Sequence, residues 1–390
     1  MRHLRVPNRA VEEHLALLRD RGWLAPGMRV ISHEDGQHRL VPLDPGAPIK
    51  MPAPFDIHET VLLEGSLDRR VDPNWWNHLA LLVGEEEISA FGEDWPSSHE
   101  FISDMMIVRI EDNLEEYTPQ IAEAKLRAHP HIRLVLNDEG VQGELRIREL
   151  TPIGARVGGE IVTDNIPESV GSTRVLVRES GRAIACDPNK AYYSSKLQSE
   201  RQETLSLAKE LRELLGRPIS VCDPFCGVGP ALATLLAEPD LVGHALASDL
   251  NPEAVRLLLD NLRRWDRRDY PSEPFPISRI FEDRVIGIAD ASQLCEDHSL
   301  VGCWDLVIVN LPHRTIELLP SLVPLLNRSN PSMIRGRAIA SESEIGDANE
   351  EIKRALPNLL QGLPEPSLRI KRDYSSTLRL CSFEAWISPE

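Results

Sequence analysis

A chain of 390 residues, 42% hydrophobic and 27% charged, holds apolar material for two or three domains of roughly 150 residues each. No run reaches the ~18 apolar residues of a membrane helix, and MRHLRVPNRAVEEH carries charge where a signal peptide would be apolar, so membrane, secreted and disordered classes are not expected. The net charge of −18 argues against a generic nucleic-acid coat, although residues 1–40, with seven Arg against five Asp or Glu, carry +2 and leave −20 for the rest.

In chain order, VEEHLALLRDRGWL has helical apolar spacing and is followed by the strand-like MRVIS and HRLVPL, which makes residues 1–46 a small unit. The proline-rich stretch from Pro45 to Pro54 reads as a linker. Over 55–190, FISDMMIVRI reads as a strand, TPQIAEAKLRAH as a helix, and HIRLVLN and GELRIREL as further strands, an order that suggests a small α+β domain. The Gly- and Pro-rich stretch 152–172 reads as a long excursion.

From about residue 191 helices and strands alternate. A polar helix (KLQSERQETLSLAKELRELLG) leads to the strand PISVCD, a glycine loop, the helix ALATLLAE, the strand GHALASDL and the helix PEAVRLLLDNLRRW. The strands RVIGIAD, WDLVIVN and RGRAIAS follow with intervening helices, and the chain closes on LRIKRDY and TLRLCSFEAWI. Repeated β-α units imply a parallel sheet with helices on both faces, and the last pair implies an antiparallel edge: a Rossmann-like α/β domain over 191–390. The six cysteines (186, 222, 226, 295, 303, 381) form no CxxC pair, so no metal site is expected and they read as reduced thiols of a cytoplasmic protein.

Three motifs fall at strand ends. Asp223-Pro224-Phe225-Cys226-Gly227-Val228-Gly229-Pro230 brings backbone close to a ligand beside a helix N-terminus. Leu232 stands where a dinucleotide fingerprint needs its third glycine, and the Gly-Lys-Ser/Thr of a phosphate loop is absent. Asp249-Leu250-Asn251-Pro252 lies 26 residues beyond Asp223. With Asn251 as N-cap and Pro252 at the first helical position, Asp249 is left at the strand tip, where a carboxylate can hold two ribose hydroxyls. Asp290, at the third tip, could accept from an adenine amino group. Asn310-Leu311-Pro312 offers an acceptor, a donor and a stiff turn to a planar nitrogenous substrate. All three lie on the carboxyl edge, where open α/β sheets bind ligands.

On these residues the chain resembles the class I S-adenosylmethionine-dependent methyltransferases, and more narrowly the archaeal/eukaryotic-type tRNA guanine-37 N1-methyltransferases. Gly143-Glu144-Leu145-Arg146-Ile147-Arg148-Glu149-Leu150 is similar to the family's G-E-F-R-V-R-E-L, and KAYYSSKLQSER (190–201) to K-V-Y-F-S-P-R-L-x-x-E-R. DPFCGVGP, DLNP and NLP continue the match, and LRVPNRAVEEHLALLRDRGWL is similar to the small N-terminal domain that binds the outer corner of tRNA. Departures are Ser195-Lys196 for Pro-Arg, Ala231 for a frequent Phe, VRESG (177–181) for H-K-E-N-G, and a longer run between Arg146 and Glu200.

The resemblance implies a cytoplasmic, monomeric tRNA methyltransferase with S-adenosylmethionine as donor. Guanine N1 carries a proton at neutral pH, so its methylation requires a base and stabilisation of the charge left on O6. By position Glu200 would be the base and Arg146 the stabilising cation, while Tyr192, Asn310 and Pro312 would hold the flipped guanine. Asp223, Phe225, Gly227, Gly229, Asp249, Leu250, Asn251, Asp290, Ala291 and Asn310 would line the cofactor pocket. Without the resemblance, Glu200 and Arg201 would read as a solvated helix face and Arg146 as a surface residue. Arg263, Arg264, Arg267 and Arg268 either meet tRNA phosphates or complement a helix C-terminus. The rivals are a wyosine-pathway transferase moving the aminocarboxypropyl group or methylating a wyosine precursor, and a non-catalytic tRNA-binding protein.

Overall fold

A computed structural model describes residues 1–68, 72–143, 145 and 147–390. The chain forms two compact units, Met1–Val175 and Leu176–Glu390.

The first unit contains two sheets. Strands Ile31–Ser32, His38–Pro42, Arg2–Pro7 and Thr60–Leu62 lie side by side in that order, all antiparallel. Alternation along Arg2–Pro7 sends Leu4 and Val6 inward, against Leu18 of the helix Val11–Asp20 and Phe55. The stretch 45–54 is not a free linker. Ala47 and Met51 are core residues, and Arg2 donates to the carbonyls of Pro48 (2.8 Å) and Pro45 (3.3 Å). Its prolines mark bends of a packed segment that carries the chain back to the first sheet.

The second sheet runs Glu100–Ile102, Met105–Val108, Leu134–Gln142, Ile147–Val157 and Glu160–Val162. Its parallel pair is joined through the helix Thr118–Ala128, and the rest is antiparallel. FISDMMIVRI is therefore a hairpin rather than one strand, turning at Ser103 with φ +57°. The expected excursion from 152 also begins later. Pro152 is accommodated where the ladder register shifts, and Gly154 lets the strand approach the helix, since a Cβ there would lie 2.7 Å from the Ala122 Cβ.

A hairpin, Val175–Glu179 with Arg182–Cys186, begins at the last residue of the first unit and continues into the second. The sheet of the second unit is built from β1 (Ile219–Asp223), β2 (Val242–Asp249), β3 (Ser278–Phe281), β4 (Arg284–Ile288), β5 (Leu306–Val309), β6 (Ser332–Ser341), β7 (Arg369–Asp373) and β8 (Leu378–Ile387). The helices are α1 (Gln198–Leu215), α2 (Pro230–Leu236), α3 (Pro252–Asp266), α4 (Thr315–Leu322) and α5 (Ile345–Ala355). The strand order is β3-β4-β2-β1-β5-β6-β8-β7. The five strands β4, β2, β1, β5 and β6 are parallel, and β6-β8-β7 form the antiparallel edge. This is the Rossmann-like sheet expected from the sequence, with one further strand, β3, paired antiparallel to β4.

Apolar residues fill both faces. Ala208, Leu211, Val221, Leu306 and Trp386 form one layer, and Leu246, Val307, Leu319, Ile334 and Phe383 another. The direction of connection reverses between β1 and β5, so the loops after these strands diverge and leave a crevice at their carboxyl ends.

Candidate functional site

The loop after β1 is held by its neighbours. Cys226 N donates to Ser248 O (3.0 Å), Gly229 N to Cys226 O (2.8 Å), and Gly227 N to the Asp249 carboxylate (2.8 Å). The other oxygen of Asp249 accepts from Asn251 N at 2.9 Å. Buried Asn261 of α3 accepts from Ala185 N (2.7 Å) and donates to Ala185 O (3.0 Å) and Val228 O (2.9 Å), tying the loop to the hairpin before α1. Two glycines are required here for different reasons. Gly227 has φ +53°, and a Cβ there would lie 3.6 Å from the Tyr192 carbonyl oxygen. Gly229 has φ +85°, and a Cβ would lie 2.7 Å from Leu258 Cδ1.

The loop carries two desolvated carboxylates. Asp223 is 2% exposed, and its Oδ1 has no hydrogen-bond partner among the described residues. Burial first, then the nearby Asp249 charge, push its carboxyl up to about 7 against the Phe225 N–H and Arg337, which pull it down. Burial also raises Asp249, opposed by its backbone donors. A buried unsatisfied acceptor beside a second desolvated carboxylate is a donor-seeking surface. It matches the hydroxyl, amino and ammonium groups of an aminoacyl-type nucleoside.

A small cavity opens beside it, lined among others by Asp223, Phe225, Asn310, Arg201, Arg335 and Arg337. Arg337 donates to Asn310 Oδ1 at 2.7 Å. Glu200, in the first turn of α1, is 6% exposed, and its Oε2 lies 3.6 Å from Arg335 and 3.9 Å from Arg337 without a hydrogen bond to any described residue. Arg335 in turn donates to Glu203 and Glu384, each at 2.8 Å. Both arginines sit on one face of β6, two residues apart, so the Glu200 carboxylate faces a fixed positive surface. The solvated-face reading of Glu200 and Arg201 is overturned, for Arg201 is buried and pairs with Glu179 and the Ser194 carbonyl.

The other expected site residues divide. Asp223, Phe225 and Asn310 line the cavity, whereas Glu200 reaches it through the arginines. Asn251 caps α3, accepting from Glu253 N (2.9 Å) and donating to Lys190 O (2.7 Å), so both ends of its amide are engaged by the protein. Asp290 is exposed and caps the turn at Ser292, Ala291 is buried, and Leu250 is 44% exposed. Tyr192 is 48% exposed, and Pro312 accepts from Ile339 N at 3.1 Å. Arg146 lies outside the described residues. In the arginine cluster, Arg263 donates to the carbonyls of Tyr270 and Pro271, and Arg268 pairs with Asp283. Sequence reasoning missed Arg335 and Arg337. Their signal was two arginines spaced by two in the otherwise apolar RGRAIAS, one position from the sheet's carboxyl edge.

Among the described residues no group of His, Cys, Asp or Glu could hold a metal ion, and no helix is long and apolar enough to cross a membrane. The six cysteines are free.

Residues 82–154 match a family model described as the TYW2 N-terminal domain. The chain is 27% identical over 282 residues to tRNA (guanine(37)-N(1))-methyltransferase Trm5b of Pyrococcus abyssi, covering 72% of this chain and 69% of that one. It is 22% identical over 350 residues to a tRNA (guanine(37)-N(1))-methyltransferase of Batrachochytrium dendrobatidis, covering 85% and 66%. The aligned region thus spans about two thirds of either relative. Among solved structures, wild-type Trm5b from Pyrococcus abyssi superposes over 100% of both chains with a TM-score of 0.59 at 21% identity. The structure described as the complex of aTrm5 and tRNALeu gives 0.58 at 18% identity over 99% of both. These structural likenesses establish the fold.

Proposed function

We propose that this chain, a homologue of the tRNA (guanine(37)-N(1))-methyltransferases, transfers a methyl group from S-adenosylmethionine to N1 of guanine 37 in tRNA. The observation that carries the reading is the buried Glu200 carboxylate, whose Oε2 has no hydrogen bond among the described residues, set against Arg335 and Arg337 beside Asn310 and the Asp223 loop. A proton acceptor and a base-holding amide therefore converge on the edge where a nucleoside cofactor fits.

Asp223 and Asp249 would hold the polar groups of the cofactor, Gly227 would admit it to the backbone, and Leu250 and Asp290 would meet its adenine. Bound there, S-adenosylmethionine supplies an electrophilic methyl group on a sulfonium. Glu200 would take the N1 proton as the ring nitrogen's electron pair forms the new N–C bond and the methyl–sulfur bond breaks, its electron pair staying on the sulfur, which leaves as a neutral thioether. Asn310, Tyr192 and Pro312 hold the flipped guanine. Arg146 is proposed to stabilise the charge on O6, as the resemblance implies. The N-terminal sheet, with its net positive stretch, is proposed to engage the tRNA away from the reacting base, and the chain to act as a cytoplasmic monomer. The domain match over 82–154 includes Arg146 but none of the residues lining the cavity.

The test is nucleoside mass spectrometry of unmodified tRNA with guanine 37, incubated with the protein and S-adenosylmethionine, against the same tRNA with adenine 37. 1-Methylguanosine from the first alone is expected. Its absence, with S-adenosylmethionine still bound, would sink this reading.

A further inference from the structure

The tip of β5 and the β7–β8 turn lie on the same edge of the sheet. Pro312 O accepts the Ile339 N–H at 3.1 Å, and Leu378 pairs with Ser341, the last residue of β6. Between these two segments His313 Nε2 lies 2.9 Å from the Tyr374 hydroxyl, with the rings T-shaped and 5.3 Å apart at their centroids. The fold does not bury this pair, for His313 is exposed and Tyr374 is 44% exposed. Both supports are nonetheless held. Thr315 Oγ1 and Arg314 N donate to Leu311 O at 3.0 and 2.9 Å, and Tyr374 N donates to Leu378 O at 2.9 Å. Lys371 of β7 clamps the hairpin to α1, its Nζ 2.6 Å from Glu203, one turn after Glu200. Three extended residues span at most about 11 Å, so His313 lies within that distance of Asn310, and Tyr374 of Lys371, from Cα to Cα. Charges around the pair offset one another. Arg314 bridges Glu317 at 2.7 Å, and Arg379 bridges Glu342 and Asp373 at 2.9 and 3.3 Å. An aromatic surface with compensated charge suits the face of a base better than a phosphate.

We propose that Tyr374, held in place by His313, is a stacking platform for a base adjacent to the target guanine in tRNA. This rests on the methyl-transfer reading above and adds a second contact to it. Flipping the target out of the loop strips its neighbours of a stacking partner. An aromatic ring on the edge that receives the target replaces that partner, and because every base has a π-face the contact tolerates any neighbouring sequence. His313 acts through Tyr374. Its hydrogen bond to the hydroxyl fixes the far end of the ring, so little ordering remains when the RNA arrives.

The experiment measures the equilibrium affinity of the full-length protein for three tRNA transcripts with guanine 37: one intact, one lacking the base at position 36 and one lacking it at position 38. Formation of 1-methylguanosine is read separately after S-adenosylmethionine is added. Y374A is expected to weaken binding of the intact transcript by at least about fivefold, and Y374F, which keeps the ring, to stay within about threefold of the wild type. On one of the two abasic transcripts the Y374A loss should shrink below about twofold, because the base that meets the ring is gone. H313A should show part of the loss alone and nothing further in a Y374A background, while H313Q, whose amide can still bond the hydroxyl, should recover it. Wild-type affinity in Y374A, or a loss of equal size on all three transcripts, overturns the proposal. The coupling without any 1-methylguanosine would overturn the methyl-transfer reading and leave the platform standing.

Discussion

Asp249, at the tip of β2, accepts the N–H of Gly227 from the loop after β1 at 2.8 Å, so a single carboxylate holds together the two strand ends on which a nucleoside cofactor would lie. Its second oxygen takes the Asn251 N–H that starts α3.

Replacing Asp249 with Ala removes both backbone bonds and the proposed hydroxyl acceptor. The dissociation constant for S-adenosylmethionine is expected to rise by about tenfold or more, read by calorimetric titration. An unchanged constant would place the cofactor elsewhere.

The raised Asp223 carboxyl has a consequence for stability. In the unfolded chain an Asp ionises near 4, whereas in the fold this one ionises at about 7. The native state therefore binds the extra proton, and its stability falls as pH rises from about 4 to about 7, then levels. Asp223→Asn, a neutral isostere, should flatten that slope and leave the ligand-free protein on the order of a few kcal/mol more stable at pH 8, while weakening cofactor binding. Urea midpoints of both proteins at pH 5 and pH 8 check it. An equal gap at the two pH values would mean that Asp223 does not titrate in this window.

Glu200→Gln keeps the shape of the side chain and removes the proton acceptor. Single-turnover methylation is expected to fall by about 10²–10⁴-fold with cofactor affinity unaltered. An unaltered rate would remove Glu200 as the base.

Gly229→Ala places a methyl group 2.7 Å from Leu258 Cδ1 at φ +85°. A loss of about 1–3 kcal/mol in unfolding free energy is expected from overpacking and backbone strain together. Since Gly229 lies at the start of α2, cofactor affinity should fall with it. A urea midpoint equal to that of the wild type would show that the loop relaxes freely.

The alternation of apolar strands with amphipathic helices from residue 191 determined the parallel sheet, its antiparallel edge and the strand tips that carry Asp223, Asp249 and Asn310, because periodicity is a local property of the chain. The glycine and N-cap positions were legible for the same reason: φ preferences and capping act within a few residues. The N-terminal sheet was not, because Arg2–Pro7 pairs with Thr60–Leu62 across more than fifty residues, and a proline-rich segment looks the same whether it is packed or free. Nor could the sequence decide what Glu200 faces. A glutamate followed by an arginine in a charged helix is ordinarily solvated, and only the fold carries β6 past α1 and turns Arg335 and Arg337 onto that carboxylate. Burial and charge pairing depend on which distant segments meet, so tertiary structure alone decided the electrostatics of the site and the direction in which Asn310 points.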